Sequence, residues 1–194
     1  GDLRRTVITK SDGDVDDIDL IEDEEIVVTL TNSGYIKRMP EGTYKPQHRG
    51  GQGISALNKK SDDFVTSLFI TTTLDTILFF TDKGRVYKKL AYEIPAAGRN
   101  AKGMAIVNLL PLEENEKIQT IIPISEVHDN DHLVLLTKDG YIKRTKMEEY
   151  ENIRKNGLIA MTLREGDEVI GGRQTKGDEE LIIVTKKGMS LRLK

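Results

Sequence analysis

Short apolar runs recur along the chain at wide, regular intervals, and each is ended by the same kind of turn. Ile26-Val27-Val28-Thr29-Leu30 leads into Thr31-Asn32-Ser33-Gly34 and then Tyr35-Ile36-Lys37-Arg38. Ile77-Leu78-Phe79-Phe80 leads into Thr81-Asp82-Lys83-Gly84 and then Arg85-Val86-Tyr87-Lys88. Leu133-Val134-Leu135-Leu136 is followed by Thr137-Lys138-Asp139-Gly140 and Tyr141-Ile142-Lys143-Arg144, and Leu181-Ile182-Ile183-Val184 by Thr185-Lys186-Lys187-Gly188 and Met189-Ser190-Leu191-Arg192. An apolar run this short, bounded by turn residues, reads as a buried strand. Glycine closing a Thr-x-x-Gly turn supplies the left-handed position of a type I turn with a G1 bulge, so each copy predicts a β-hairpin. The hairpin glycines Gly34, Gly84, Gly140 and Gly188 are 50, 56 and 48 residues apart. A period near 50 with about four strands per unit predicts a propeller-like radial array.

A second element follows each of the first three hairpins: Arg49-Gly50-Gly51-Gln52-Gly53-Ile54, Arg99-Asn100-Ala101-Lys102-Gly103-Met104 and Arg154-Lys155-Asn156-Gly157-Leu158. Further strands are expected near 65–71, 118–124 and 168–173, with one more at 3–9, and no long segment has helical periodicity. The expected fold is all-β, with about four blades of four strands. Residues 1–25 form an N-terminal strand and acidic connector, and residues 26–194 form the array, with repeats starting near 26, 77, 133 and 181.

Composition narrows the function classes. Hydrophobic content of 37% and charged content of 31% over 194 residues suit a polar-surfaced protein with a sizeable core. No apolar run approaches the roughly 20 residues of a membrane-spanning helix, so no membrane partner is expected. The lack of cysteine excludes disulfides and thiolate metal sites and fits a cytosolic protein. The formal charge of −3 hides an asymmetry: ten acidic and three basic side chains lie in residues 1–25, leaving 26 basic and 22 acidic beyond them. The body is therefore cationic despite the acidic whole.

Enzymatic constellations are poor. His128-Asp129-Asn130-Asp131-His132 contains metal-ligand types, but Asp and Asn just before a strand build turns. Asp12, Asp14 and Asp16 have the spacing of an EF-hand loop, yet Asp17 stands where that loop needs glycine and Asp23 where it needs glutamate. A solvated acidic connector is the better reading. There is no P-loop and no dinucleotide fingerprint. No catalysis, metal or cofactor is expected of this chain.

The basic residues recur in phase with the repeat. Four residues after each hairpin glycine stands a cation: Arg38, Lys88, Arg144 or Arg192. The position before it holds Lys37, Tyr87, Lys143 or Leu191. Two readings stay open on pattern alone. Exposed strand cations discourage edge-to-edge pairing and keep β-proteins soluble, as in a propeller-like protein-interaction scaffold. Alternatively, radial repetition sets the cations around a rim that meets duplex phosphates without reading bases. Arg49, Arg99 and Arg154 would form a second row, with Lys45, Arg85, Lys89, Lys102 and Lys155 beside them. Tyr35, Tyr87 and Tyr141 read as blade packing in preference to base stacking.

Taken together, these residues resemble a known family. The stretch Gln47-His48-Arg49-Gly50-Gly51-Gln52-Gly53, followed by blades bearing Thr-x-x-Gly-Tyr-Ile-Lys-Arg, is similar to the C-terminal domain of DNA gyrase A. The likeness continues through Gly84-Arg85-Val86-Tyr87, residues 106–112 and residues 165–171, and covers the chain from about residue 20 onward. It implies a β-pinwheel whose blades exchange strands, and an activity of bending duplex DNA around a basic perimeter in support of negative supercoiling. It also implies that the heptapeptide 47–53 is the box needed for wrapping. The cleaving tyrosine would lie in the breakage-reunion domain of gyrase A and the ATPase in gyrase B, both partners in the holoenzyme. ATP and Mg would belong to that holoenzyme, located in the bacterial cytoplasm at the nucleoid. The corresponding domain of topoisomerase IV is the neighbouring alternative.

Two departures stand out. The family's box carries basic residues where this chain has His48 and Gln52, so Arg49 is its one permanent charge. Wrapping is then expected to be weaker, more pH-dependent through His48, or carried more by Lys45 and the other blades. The family commonly has six blades, sometimes five, against four hairpins here. This predicts a truncated or split domain, an open arc or a ring closed partly by residues 3–9.

Overall fold

The computed structural model describes residues 17–43, 63–125, 127–128, 131–176 and 179–193. The first repeat contributes β1 (Glu25–Thr31), β2 (Tyr35–Pro40) and β3 (Val65–Thr72), and the second β4 (Thr76–Thr81), β5 (Arg85–Leu90), β6 (Met104–Ala105) and β7 (Ile118–Ile124). The third contributes β8 (His132–Thr137), β9 (Ile142–Lys146), β10 (Leu158–Ile159) and β11 (Val169–Thr175), and the fourth β12 (Leu181–Val184) and β13 (Ser190–Leu193). Helix among the described residues amounts to the single turn α1 (Ile106–Leu109) and four 3-10 turns.

All four hairpins close by one mechanism. The N–H of each closing glycine donates to the carbonyl of the threonine three residues before it, at 2.9–3.1 Å. That threonine's Oγ1 accepts from the N–H one residue past the glycine: Tyr35 at 3.2 Å, Arg85 at 3.2 Å, Tyr141 at 3.1 Å and Met189 at 3.1 Å. The glycines sit at φ of +77° to +88°, where a Cβ would be strained. Threonine and glycine are therefore both required by the turn, which explains the recurring Thr-x-x-Gly.

The sheets are completed across repeats. The first runs β3-β1-β2-β6 and the second β10-β5-β4-β7, so each takes its fourth strand from the following repeat. β6 pairs with β2 through Tyr35↔Ala105 and Ile36↔Met104, and β10 with β5 through Val86↔Leu158 and Arg85↔Ile159. The third sheet is β11-β8-β9 and the fourth β12-β13. Among the described residues, four strands per blade thus holds for two sheets. The exchanged strands are two residues long, too short to leave a periodic signal in sequence.

The blades stack face to face. Alternation along β4 sends Ile77 and Phe79 into a core with Ile26, Val28, Leu30 and Ile36 of the first sheet. Leu78 and Phe80 go the other way, against Leu133, Leu135, Met147 and Tyr150. Phe80 meets Tyr150 edge to face at 6.0 Å and 79°. A central strand covered on both faces reads as a continuous apolar run, as these do. The fourth hairpin is the least covered, with Ile182 and Val184 69% and 67% exposed.

The strand expected at 3–9 and the start of the acidic connector lie outside the described residues. The end of the connector keeps its acidic side chains exposed while its backbone is anchored. Thr73 Oγ1 donates to Glu22 O at 2.6 Å, Glu24 N–H donates to Thr73 Oγ1 at 3.0 Å, and Thr73 N–H donates to Glu24 O at 3.0 Å. Residues 22–24 are thereby fastened to the turn between β3 and β4. The strand expected at 168–173 runs 169–175, because it follows β8 along its full length past an irregularity between Val169 and Gly171.

Candidate nucleic-acid interface

The hairpin cations occupy one register position in all four blades. Arg38 lies opposite Val28, Lys88 opposite Leu78, Arg144 opposite Val134 and Arg192 opposite Ile182. Equivalent turns and equivalent pairing place four positive charges at equivalent points of successive sheets. Lys88, Arg144 and Arg192 are exposed, and Arg38 is half-buried.

Their local engagements differ. Arg38 Nε donates to Ile94 O at 2.7 Å, and Lys88 Nζ donates to Glu151 O at 2.7 Å. Both acceptors belong to the following repeat, so these cations also tie blades together. Arg192 Nε donates to Glu180 Oε2 at 2.6 Å on the exposed fourth hairpin. Arg85 bonds Glu113 Oε1 at 2.5 Å and Asn156 O at 2.7 Å, and Lys89 pairs with Glu93 at 2.7 Å.

Lys37 stands apart from the expected rim. It is 3% exposed, and its Nζ donates to Arg99 O at 2.7 Å, Ala101 O at 2.9 Å and Gly98 O at 3.3 Å. Burial pushes its pKa below the ordinary lysine value. The reason is alternation: Lys37 and Arg38 point to opposite faces of β2, and the 98–101 loop closes over the Lys37 side. Its repeat counterpart Lys143 is exposed, with Nζ donating to Ala160 O at 2.6 Å.

In the second row, Arg154 and Lys155 are exposed and Arg99 is half-buried. Lys102 places its Nζ 3.8 Å from the centre of the Tyr35 ring, a cation–π contact. The third repeat has an analogue that sequence reasoning missed, Arg164 lying 4.4 Å over the Tyr141 ring. A cation twenty-three residues past a tyrosine gave no local signal. Tyr87 is core, with its hydroxyl on Glu116 Oε2 at 3.1 Å. Lys45 and the heptapeptide residues Gln47, His48, Arg49, Gly50, Gly51, Gln52 and Gly53 lie outside the described residues.

Carboxylates of the loops serve the scaffold. Asp131 Oδ2 accepts from His128 N–H at 3.0 Å and from Gln174 Nε2 at 2.9 Å, which is the turn expected in the His128–His132 stretch. These bonds, His128 N–H foremost, hold its carboxyl below the usual value. No group of three or more metal-ligating His or carboxylate side chains occurs among the described residues. No helix among them is long and apolar enough to cross a membrane.

The comparisons with known proteins agree with this architecture. The model of the DNA gyrase C-terminal domain, beta-propeller, matches residues 25–72, 75–125 and 131–176. DNA gyrase A of Clostridium acetobutylicum is 54% identical over 192 residues, covering 99% of this chain and 23% of that protein. The chain thus spans about a quarter of the length of the curated relatives it matches. A solved DNA gyrase A C-terminal domain superposes with TM-score 0.68 at 30% identity, covering 87% of this chain and 54% of that one. A topoisomerase IV C-terminal domain gives TM-score 0.70 at 27% identity, covering 89% and 52%. Because the matched segments take in most of the chain, the chain belongs to the family of DNA gyrase C-terminal domains with the β-propeller fold.

Proposed function

We propose that this chain binds duplex DNA without sequence preference and bends it along the cations of successive blades, in support of negative supercoiling by a gyrase. The observation that carries the reading is the common register of Arg38, Lys88, Arg144 and Arg192. A track of charges repeated at blade spacing suits a polymer of evenly spaced phosphates, and none of these positions offers a pattern for reading bases. The chain itself does no chemistry in this reading. DNA cleavage and ATP hydrolysis, with their ATP and Mg, belong to the breakage-reunion domain and to gyrase B, and the assembly works in the bacterial cytoplasm.

Two measurements test it. Duplex affinity is expected to fall steeply with salt, because cations bound to phosphates release condensed counterions. Relaxing closed circular DNA in the presence of the chain is expected to shift the topoisomer distribution, which reports wrapping and its sign. A salt-independent affinity, or no binding at low salt, refutes DNA binding. Binding with an unshifted topoisomer distribution refutes wrapping.

A further inference from the structure

We infer that Lys37 is a positioning residue and not a phosphate contact: it latches the 98–101 loop of the second repeat onto the first hairpin and so sets where Arg99 and Lys102 stand. An ammonium has three protons. Those of Lys37 face three carbonyl oxygens, Gly98, Arg99 and Ala101, at 2.7–3.3 Å, inside a site where the residue is 3% exposed. No donor is left over for a phosphate.

The rest of the segment is built for the same seat. Arg38 N–H donates to Pro95 O and Ala97 N–H to Arg38 O, both at 3.1 Å, so the chain runs alongside β2 before the loop begins. Gly103 has φ of +91°, and a Cβ there would lie 2.5 Å from Ile36 O and 3.1 Å from Lys37 Cβ. The loop can lie flush on β2 only without a side chain at 103. Directly before it, Lys102 reaches the Tyr35 ring. In the second blade the same hairpin position is Tyr87, and a Cβ on Gly157 of the next repeat would lie 2.8 Å from its ring. Ammonium in one blade and phenol ring in the next fill the same inter-repeat seat.

The latch is a property of the free chain, whereas its consequence for DNA rests on the wrapping reading above. The test is therefore amide exchange of the free chain, followed by duplex affinity against salt, for Lys37→Met and Gly103→Ala. Lys37→Met is expected to speed exchange across 98–105 by about tenfold or more while β4 and β5 stay protected. Gly103→Ala removes no charge and is expected to loosen the same amides and to weaken duplex binding alongside Lys37→Met. Lys37→Gln, with two donors for three acceptors, is the milder variant should Lys37→Met fail to fold, and an intermediate loosening is expected. Native exchange rates in the Lys37 variants, with a salt slope lowered by about 0.9, would make Lys37 a phosphate contact and overturn the latch. A loosened loop with native affinity in Gly103→Ala overturns its consequence for DNA. Absence of duplex binding by the unaltered chain refutes the wrapping reading, and the exchange rates still decide the latch.

Discussion

Tyr87 is 1% exposed, and its hydroxyl lies 3.1 Å from Glu116 Oε2 and 3.2 Å from Pro111 O. Burial first, then the charge of Glu116, push its pKa up to about 12. Because this lies above the ordinary value near 10, the residue's contribution is intact below about pH 10 and is lost as pH rises toward 12. Tyr87→Phe removes that titration, so its stability is expected to fall less steeply over this window. At neutral pH the variant leaves Glu116, 6% exposed and with Oε1 unpaired among the described residues, without its phenol donor and with Glu113 N–H still on Oε2 at 2.7 Å. A loss of about 1–3 kcal/mol is expected, read as a Tm lower by at least about 2 °C. The site as a whole was half legible at this scale. Arg38, Lys88, Arg144 and Arg192 share a register because they share a distance from a glycine, which sequence displays. That Lys37 is buried depends on carbonyls 61 to 64 residues away, and nothing in the hairpin itself announces them.

The hairpin turn is one element repeated in four environments, which separates its chemistry from its context. Thr81 is fully buried, and its Oγ1 is the acceptor for Arg85 N–H at 3.2 Å. Thr185 makes the same bond to Met189 N–H at 3.1 Å but is exposed. Thr81→Val is expected to cost about 1–3 kcal/mol, because the N–H of half-buried Arg85 loses an acceptor that lies on a fully buried side chain. Thr185→Val is expected to stay within about 0.5 kcal/mol. Urea midpoints of the two variants check the difference, and equal midpoints would mean that turn chemistry outweighs burial. Elements of this kind are what sequence conveys best: Thr-x-x-Gly fixed every hairpin, and β7 was expected at 118–124, where it lies. Partner choice was hidden. β6 and β10 are two residues each, and their pairing with the preceding repeat follows from a glycine's close approach rather than from any run of strand formers.

An acidic chain can hold a polyanion only if its charges are segregated. The net charge is −3, yet the ten acidic residues of the first 25 leave the remainder with an excess of basic side chains. On that remainder Lys88 and Arg144 are exposed and belong to different blades. Lys88 touches only an exposed carbonyl, that of Glu151, among its described hydrogen bonds, and water can replace that contact. If both cations meet phosphates, each Ala substitution is expected to lower the slope of log affinity against log salt by about 0.9. Sites on different sheets that share no hydrogen-bond partner among the described residues are expected to act independently, so the double variant is expected to lose about 1.8. Arg192 is held by Glu180, and Arg192→Ala is expected to change the slope less, because part of its charge is already neutralised. Unchanged slopes in Lys88→Ala and Arg144→Ala would assign these cations to solubility and edge protection instead. Loss of the whole slope in either single variant would point to one local site in place of a distributed rim. The additive outcome is the signature of a duplex lying across several blades at once, and it is the measurement that separates a wrapped polymer from a docked one.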